Sequence, residues 1–407
     1  MDGIDAIRAV CAPLRPRRPK RIGFLFNHDQ THQVAHSLPI ALALAEMDGA
    51  FDVIVASTTP ALRREILRIA GARIGSITCV DLSLNSMVSR TLNCALGHFL
   101  PSHKVLIYRD NLEFFRTLDV LVVSERTSLL LRTRYGLEQP LLVLADHGAG
   151  DRAIGFNGKT AQFDHVLAAG PKIRDRLIAE AGLDADRLSI TGYPKFDLPP
   201  GTSPCAAMQA NGRPTVLYNP HVSPHLSSWF RTGRQVLDYF LASDRYNLIF
   251  APHVMLFQRR WALSIDRLRL ARPGTIAAKY RDAPNIHIDT GSVCSTDMSY
   301  TAAADIYLGD VSSQIYEFLR KPRPCVFLNV HAIDPAGDVN YAHWQAGPVC
   351  TRVSDLDAAL DNAVSRYDLI YRPIQKKLFD YTFDLTAQPS AQRAAHKLLQ
   401  LAECNGD

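Results

Sequence analysis

Long apolar runs are missing from this 407-residue chain. No stretch approaches the roughly 18 to 20 residues needed to span a bilayer, and the first residues lack the apolar core of a secretory leader. The expectation is a cytoplasmic protein that meets lipid, if at all, at the inner face of the membrane. The eight cysteines, Cys11, Cys79, Cys94, Cys205, Cys294, Cys325, Cys350 and Cys404, form no C-x-x-C pair. That spacing argues against both a zinc knot and a disulfide framework, and most read as small buried hydrophobes. Charge of one sign is also scarce. The net charge of +5 is dispersed and accompanied by no recognition motif or repeat, so no nucleic acid is expected as a partner. There is no G-x-S-x-G, no G-x-x-x-x-G-K-[ST], and no G-x-G-x-x-G after the first strand, which weakens hydrolase, P-loop and dehydrogenase readings. No Asp-x-Asp follows a convincing strand, Asp184-Ala185-Asp186 falling in a helix-to-strand turn, and no His/Cys cluster has ligand spacing. Neither a metal nor another cofactor is expected.

What is present is enough apolar material for large cores. Hydrophobic residues make up 47% of the chain, and the length favours two domains of about 150 to 200 residues. Strands and helices alternate, the pattern of a parallel sheet covered on both faces. In the first half, strands are expected at Arg21 to Phe26, Phe51 to Ala56, Ile74 to Cys79, Val120 to Ser124, Leu141 to Ala145, Val166 to Ala169 and Leu188 to Thr191. Helices fit Val34 to Glu46 and Pro60 to Ala70, with a helical region from about Leu84 to Leu118. The breaker-rich stretch Gly192 to Arg213 reads as a linker. A second set follows, with strands at Thr215 to Asn219, Asn247 to Ala251, Asn285 to Asp289, Ile306 to Gly309 and Cys325 to Leu328. Its helices fit Ser227 to Leu241, Leu256 to Leu270 and Val311 to Leu319, and the chain ends in helical material at Asp355 to Ser365 and Ser390 to Glu403. The implied fold class is α/β, two Rossmann-like domains facing each other across a cleft, the arrangement called GT-B. The division is 1–195, a linker 196–213, 214–383, and a helix within 384–407 that packs across the domains.

Ligands in such sheets bind beyond the carboxyl ends of the strands. Those ends are rich in His and Asn: Asn27-His28-Asp29-Gln30-Thr31-His32, Asp146-His147-Gly148-Ala149-Gly150, Asn219-Pro220-His221 and Ala251-Pro252-His253. The run Asp305 to Leu328 reads as strand, hydroxyl-rich turn, helix and strand, with Asp310, Ser312 and Ser313 where a helix would begin. Free N–H groups and a positive helix end would make that turn a phosphate cradle, although a plain capped helix has the same composition. Glu317, one turn on, is placed to reach a ribose. Transfer from a nucleotide diphosphate needs a diphosphate grip, relief of leaving-group charge, and a base for the acceptor hydroxyl. Ser312 and Ser313 suit the first, His253 the second, and His147 the third, because histidine titrates near neutrality.

Two surfaces are candidates for a peripheral membrane contact. One is the basic start of the chain, Arg8, Arg15, Arg17, Arg18, Lys20 and Arg21, which a solvated terminus explains better. The other is Leu92 to Phe115, where Leu100, Leu106, Ile107, Phe114 and Phe115 alternate with His103, Lys104, Arg109 and Arg116.

The order His147-Gly148, Gly155-Phe156, Thr191-Gly192-Tyr193-Pro194-Lys195-Phe196-Asp197, Val216 to Pro220, Pro252-His253, Asp310-Val311-Ser312-Ser313, Glu317-Phe318 and Lys321-Pro322 resembles the CDP-glycerol glycerophosphotransferases of teichoic acid synthesis. The resemblance covers roughly Ala145 to Leu328. It implies a GT-B fold, a CDP-glycerol-like donor, a lipid-linked or glycan acceptor hydroxyl, and CMP as leaving group. It further implies His147 as the catalytic histidine, with His253 at the diphosphate and Ser312 and Ser313 as the cradle. Gly192, Pro194, His221, Asp310 and Glu317 join the donor side, and His28 and His32 the acceptor side. Ala149-Gly150 replaces the usual Thr-Pro and His221 a usual Thr, and residues 21–124 match no pattern. A GT-B glycosyltransferase or 2-epimerase-like enzyme using a nucleotide sugar is the alternative, and a catalytically silent binding module a third reading.

Overall fold

In the computed structural model, which describes residues 18–49, 51–96, 102–146, 148–152, 155–264 and 269–404, short runs rich in Val, Ile and Leu become the strands of two parallel sheets. The first sheet holds β1 (Lys20–Phe26), β2 (Phe51–Ser57), β3 (Thr78–Asp81), β4 (Val120–Val123), β5 (Leu141–Ala145), β6 (His165–Ala168) and β7 (Leu188–Ile190). Their spatial order is β3-β2-β1-β4-β5-β6-β7, every neighbour parallel. The rest of the chain adds β8 (Thr215–Asn219), β9 (Asn247–Phe250), β10 (Ala262–Ser264), β11 (Arg269–Ala271), β12 (Ile286–Ile288), β13 (Ile306–Gly309), β14 (Cys325–Leu328) and β15 (Val349–Cys350). Six of these form a second parallel sheet in the order β12-β9-β8-β13-β14-β15. The interior strands are apolar on both faces because helices cover both sides, as the burial of every residue of β4, β8, β13 and β14 shows.

Both sheets reverse direction of growth at their first strand, between β1 and β4 in one and between β8 and β13 in the other. Such switch points open a crevice at the carboxyl ends of the two strands that flank them. In the second sheet those ends are Asn219-Pro220-His221 and Asp310-Val311-Ser312.

The C-terminal helix Ser390–Cys404 returns to the first half. Ala391, Ala394, Ala395, Leu398 and Ala402 join the core around the helix Leu38–Ala45. Asp197 caps its start, accepting from Ser390 N at 3.2 Å and Ala391 N at 2.6 Å. A helix at Arg372–Thr382 precedes it and lies between the halves, against Pro171–Ala181 on one side and Val339–Ala346 on the other. We propose to retain the sequence-based division, with the final helix serving the first domain.

Four expected elements differ. Leu256 to Leu270 holds no helix among its described residues; Leu256 is buried in a turn and the hairpin β10–β11 follows. Trp261 and Arg272 extend that ladder by one step, the guanidinium 4.0 Å from the ring centroid, a cross-strand pairing that a helix would lack. Val34 to Glu46 divides at Ser37 into a 3-10 turn and a helix. The strand expected at Ile74 begins at Thr78, after a 3-10 turn. The helix expected from Val311 runs only over Gln314–Phe318.

The second candidate membrane surface differs from expectation. Of the basic run, Arg8, Arg15 and Arg17 lie outside the described residues, as does Leu100 of the second surface. Ile107 and Phe115 are fully buried, because their helices pack onto β1 and β4. The exposed apolar side chains belong instead to the helix Met87–Leu96: Met87, Val88, Leu92 and Leu96. Among the described residues, no helix is long and apolar enough to cross a membrane.

Candidate functional site

The carboxyl ends of the two sheets face each other across a cleft of about 590 Å³. The first half contributes Gln30, His32, Arg126, Asp146, Gly148, Gly150 and Arg152 to its wall, and the second His221, Ser223, His253, Ser312 and Ser313. Gln30 and Gln258 bridge the halves at 2.9 Å. Five of the residues expected from sequence, His32, His221, His253, Ser312 and Ser313, therefore share one cavity. His147 lies outside the described residues.

His221 and His253 are held in the same way. Ser223 N–H donates to His221 Nδ1 at 3.0 Å, and Met255 N–H donates to His253 Nδ1 at 3.3 Å. With Nδ1 accepting, the ring proton of each neutral imidazole sits on Nε2. The rings stand 5.9 Å apart. Burial pushes the His253 pKa down to about 4. Burial also pushes His221 well below the usual range, and the neighbouring His253, Arg152 and His225 charges add to that. Both act as neutral N–H donors at physiological pH.

A guanidinium nitrogen of Arg152 lies 3.3 Å from His221 Nε2. Since Nε2 carries the proton, two donors meet there, and an anion between them would accept from both. One comes from each half of the molecule.

Asp310 is fully buried and its carboxylate is consumed inside the protein. Oδ1 accepts from His221 N at 2.9 Å and Val311 N at 2.7 Å, and Oδ2 from Ser228 N at 2.7 Å and Ser228 Oγ at 2.9 Å. Burial raises its pKa, against the backbone donors of Ser228 and Val311. Asp310 thus staples β13 to β8 across the switch point and does not serve as a phosphate ligand, correcting the expectation from sequence. The helix begins only at Gln314 and spans five residues, so the cradle has little help from a helix dipole, which needs several aligned peptides. Ser312 and Ser313 remain its hydroxyls.

Gly192 and Pro194 also depart from the donor-side expectation. At Gly192, with φ +87, an added Cβ would lie 2.3 Å from Ser390 Oγ and 2.8 Å from the Asp384 carbonyl. This close approach accommodates the C-terminal helix rather than a ligand, and Pro194 opens the buried 3-10 turn beside it. Glu317 pairs through Oε1 with Lys195 Nζ at 2.6 Å, while Oε2 is buried without a hydrogen-bond partner. Glu317 therefore sits behind the cradle and is not among the residues lining the cleft. His28 is sealed below the cleft, its side chain 1% exposed and its Nδ1 3.2 Å from Glu125 Oε1, with Lys104 on the other carboxylate oxygen. It does not face the cleft, whereas His32 lines it.

Arg126, Asp146, Asp151 and Arg152 were missed from the sequence. Arg126 joins Asp146 Oδ2 at 3.0 Å to the Gly155 carbonyl at 2.6 Å. For Asp146, Asp151 and Arg152 the signal was available in the glycine-rich run after β5, where charged residues stand between positions of close backbone approach; Arg126 follows the carboxyl end of β4.

No family model matches the chain, and no curated protein matches it by sequence. Solved structures match over nearly its whole length. The wall teichoic acid polymerase TagF aligns with a TM-score of 0.57 at 14% identity, covering 96% of this chain and 90% of that one. A variant of TagF soaked with CDPG gives a TM-score of 0.58 at 13% identity, with 96% and 91% covered. A UDP-N-acetylglucosamine 2-epimerase gives 0.56 at 14% identity, with 96% and 98% covered. The fold is GT-B.

Proposed function

We propose that the chain is a transferase that binds a nucleotide-diphosphate-linked donor in this cleft and passes a glycerol phosphate, or a similar polyol or sugar phosphate, to an acceptor hydroxyl. The observation that carries the reading is the set of neutral and cationic donors aimed at one gap: Arg152 from one half, with His221, His253, Ser312 and Ser313 from the other. A diphosphate is the ligand that needs donors spread over such a width. The reading also draws on the fold shared with TagF and on the CDPG recorded for that protein.

In the proposed reaction the acceptor oxygen attacks the distal phosphorus of the donor. A new P–O bond forms, the bond from that phosphorus to the bridging oxygen breaks, and the nucleotide monophosphate leaves, CMP in the case of CDP-glycerol. Arg152 and the Nε2–H groups of His221 and His253 offset the charge that collects on the leaving phosphate. His147 is the proposed base for the acceptor proton; its chain neighbours Asp146 and Gly148 both line the cleft. The acceptor is proposed to be lipid-linked or a glycan, approaching from the side of His32.

Purified protein incubated with CDP-glycerol, UDP-N-acetylglucosamine and CMP-sugars, each with a lipid-linked acceptor, tests this. Release of CMP from CDP-glycerol supports it, and turnover of a sugar nucleotide alone rejects it in favour of the second reading, a sugar-nucleotide enzyme of the kind the 2-epimerase fold match suggests. His147→Ala is expected to reduce turnover by a factor of about 100 to 10,000 while leaving donor affinity intact.

A further inference from the structure

The loop 148–152 of the first half approaches the cradle of the second closely enough to matter for chemistry. A Cβ built on Gly150 would stand 3.0 Å from Ser313 Cβ. Something has to hold that approach, and the candidate is one carboxylate behind it.

Asp151 is buried between the halves and its two oxygens accept five hydrogen bonds. Tyr316 Oη donates to Oδ1 at 2.7 Å and Oδ2 at 2.8 Å. His343 donates to Oδ2 from its backbone N at 3.1 Å and from Nδ1 at 2.9 Å, and Lys172 Nζ donates to Oδ1 at 2.7 Å. Lys172 belongs to the first half, Tyr316 and His343 to the second. The Lys172 ammonium also donates to the Ala149 carbonyl at 2.7 Å and lies 3.7 Å from the Tyr316 ring centroid. Arg176 donates to the Asp151 carbonyl and to Asn340 Oδ1 at 3.2 Å. The backbone of residues 149–151 is thereby fixed by groups from both halves.

The chain of bonds continues into the cradle. His343 Nε2 faces the Asp310 carbonyl at 3.0 Å, which also accepts from Trp344 Nε1 at 2.7 Å. Both His343 nitrogens thus lie within hydrogen-bond distance of oxygens, one on each side of the network. Asp310 in turn holds the His221 and Val311 amides. An unbroken path runs from the 148–152 loop, which carries Arg152, through Asp151 and His343 to Asp310, and from there to the His221 side of the anion gap.

We propose that Asp151 is a positioning residue that couples the two halves of the site, setting how closely the 148–152 loop approaches Ser313. It touches no donor or acceptor group in this scheme. Burial alone would raise its pKa, but the Lys172 charge and the His343 bond outweigh that and hold it well below the usual range, so the anion is the form that accepts all five bonds. An amide in its place must turn an N–H toward at least one donor, and the loop shifts to relieve that contact.

The inference rests on the cleft being the donor site, so the test reads both activity and structure. Asp151→Asn is expected to lower kcat about a hundredfold, the cost of roughly an ångström of misplacement. The donor KM should move less than about threefold, because most of the donor grip lies within the second half. Hydrogen exchange of the full chain is expected to accelerate in residues 148–152 and 310–316 and to stay unchanged in β1, β2 and β9. Tyr316→Phe removes a donor while keeping charge and packing, and should give the same pattern at smaller size. Exchange unchanged in both variants overturns the proposal whether or not any donor turns over. So does accelerated exchange throughout Tyr316→Phe, which would make the network a general support of the fold. Absence of turnover in the wild type with every donor would instead count against the transferase reading, and the exchange comparison would still decide the coupling.

Discussion

Lys195 and Glu317 form a 2.6 Å ion pair in which both side chains are nearly removed from solvent, at 4% and 9% exposure. It joins the segment that leaves the first sheet to the short helix behind the cradle. Tyr193 Oη stands 3.5 Å from the same carboxylate oxygen. Removing one partner strands a buried charge, whereas removing both costs far less. Lys195→Met is therefore expected to destabilise the protein by about 3 to 5 kcal/mol, and Lys195→Met with Glu317→Leu to recover most of the loss. Urea unfolding at neutral pH measures both; equal losses in the single and double variants would mean that the pair contributes only packing.

The buried imidazole of His253 makes stability depend on pH. Its pKa is about 4 in the folded chain and about 6.5 when unfolded, so between those values the unfolded chain binds the extra proton. Stability from this group is complete above about pH 6.5 and is lost as pH falls toward about 4, at roughly 1.4 kcal/mol per pH unit for one proton. His221, shifted in the same direction, adds to the wild-type slope. His253→Gln should flatten that slope by one proton's share. The comparison is made by unfolding wild type and variant in parallel from neutrality to mild acid; parallel curves would show that His253 is exposed to protonation in the folded state.

Gly192 supplies a conformation and a space at once. With φ +87 and Ser390, Arg393 and Asp384 within 3 Å of any added Cβ, Gly192→Ala combines backbone strain with displacement of the C-terminal helix. A loss of about 2 to 4 kcal/mol is expected in thermal or urea unfolding. Gly148→Ala, where nothing lies within 4 Å, should cost little and serves as the control.

Much of the fold was legible because the strands are buried on both faces and written as unbroken apolar runs. Leu141–Ala145, Thr215–Asn219, Ile306–Gly309 and Cys325–Leu328 fall where the sequence places them. The segment from Leu256 to Leu270 misled because leucines at helical spacing also fit a buried turn followed by a hairpin, and the deciding contact, Trp261 with Arg272, lies beyond local periodicity. Cleft-lining residues were legible where they follow strands, as His221, His253, Ser312 and Ser313 do. The carboxylates were harder. Asp310 carries the composition of a cap or a phosphate loop, yet its partners Ser228 and His221 are more than 80 residues away in sequence. Asp151 and His343 are 192 residues apart, and no local signal links them.

The helix Met87–Leu96 has an apolar face: Met87, Val88, Leu92 and Leu96 are exposed, with the exposed Arg90 beside them. A lipid contact through this face predicts that vesicles containing phosphatidylglycerol carry the protein upward in a flotation gradient and that Met87→Ser with Leu92→Ser reduces the floated fraction severalfold. Equal flotation of the double variant would remove this helix from the contact.

Calorimetric titration of CDP-glycerol and UDP-N-acetylglucosamine into wild type and into the Ser312→Ala, Ser313→Ala variant tests the central claim most directly, because it asks whether the cradle holds a nucleotide diphosphate without requiring the acceptor. The account predicts that wild type binds at least one of the two. The double variant should bind that donor about 10- to 100-fold more weakly, the loss expected for one or two hydrogen bonds to a charged phosphate. Identical affinity in the variant, or no binding of either donor by the wild type, would contradict it.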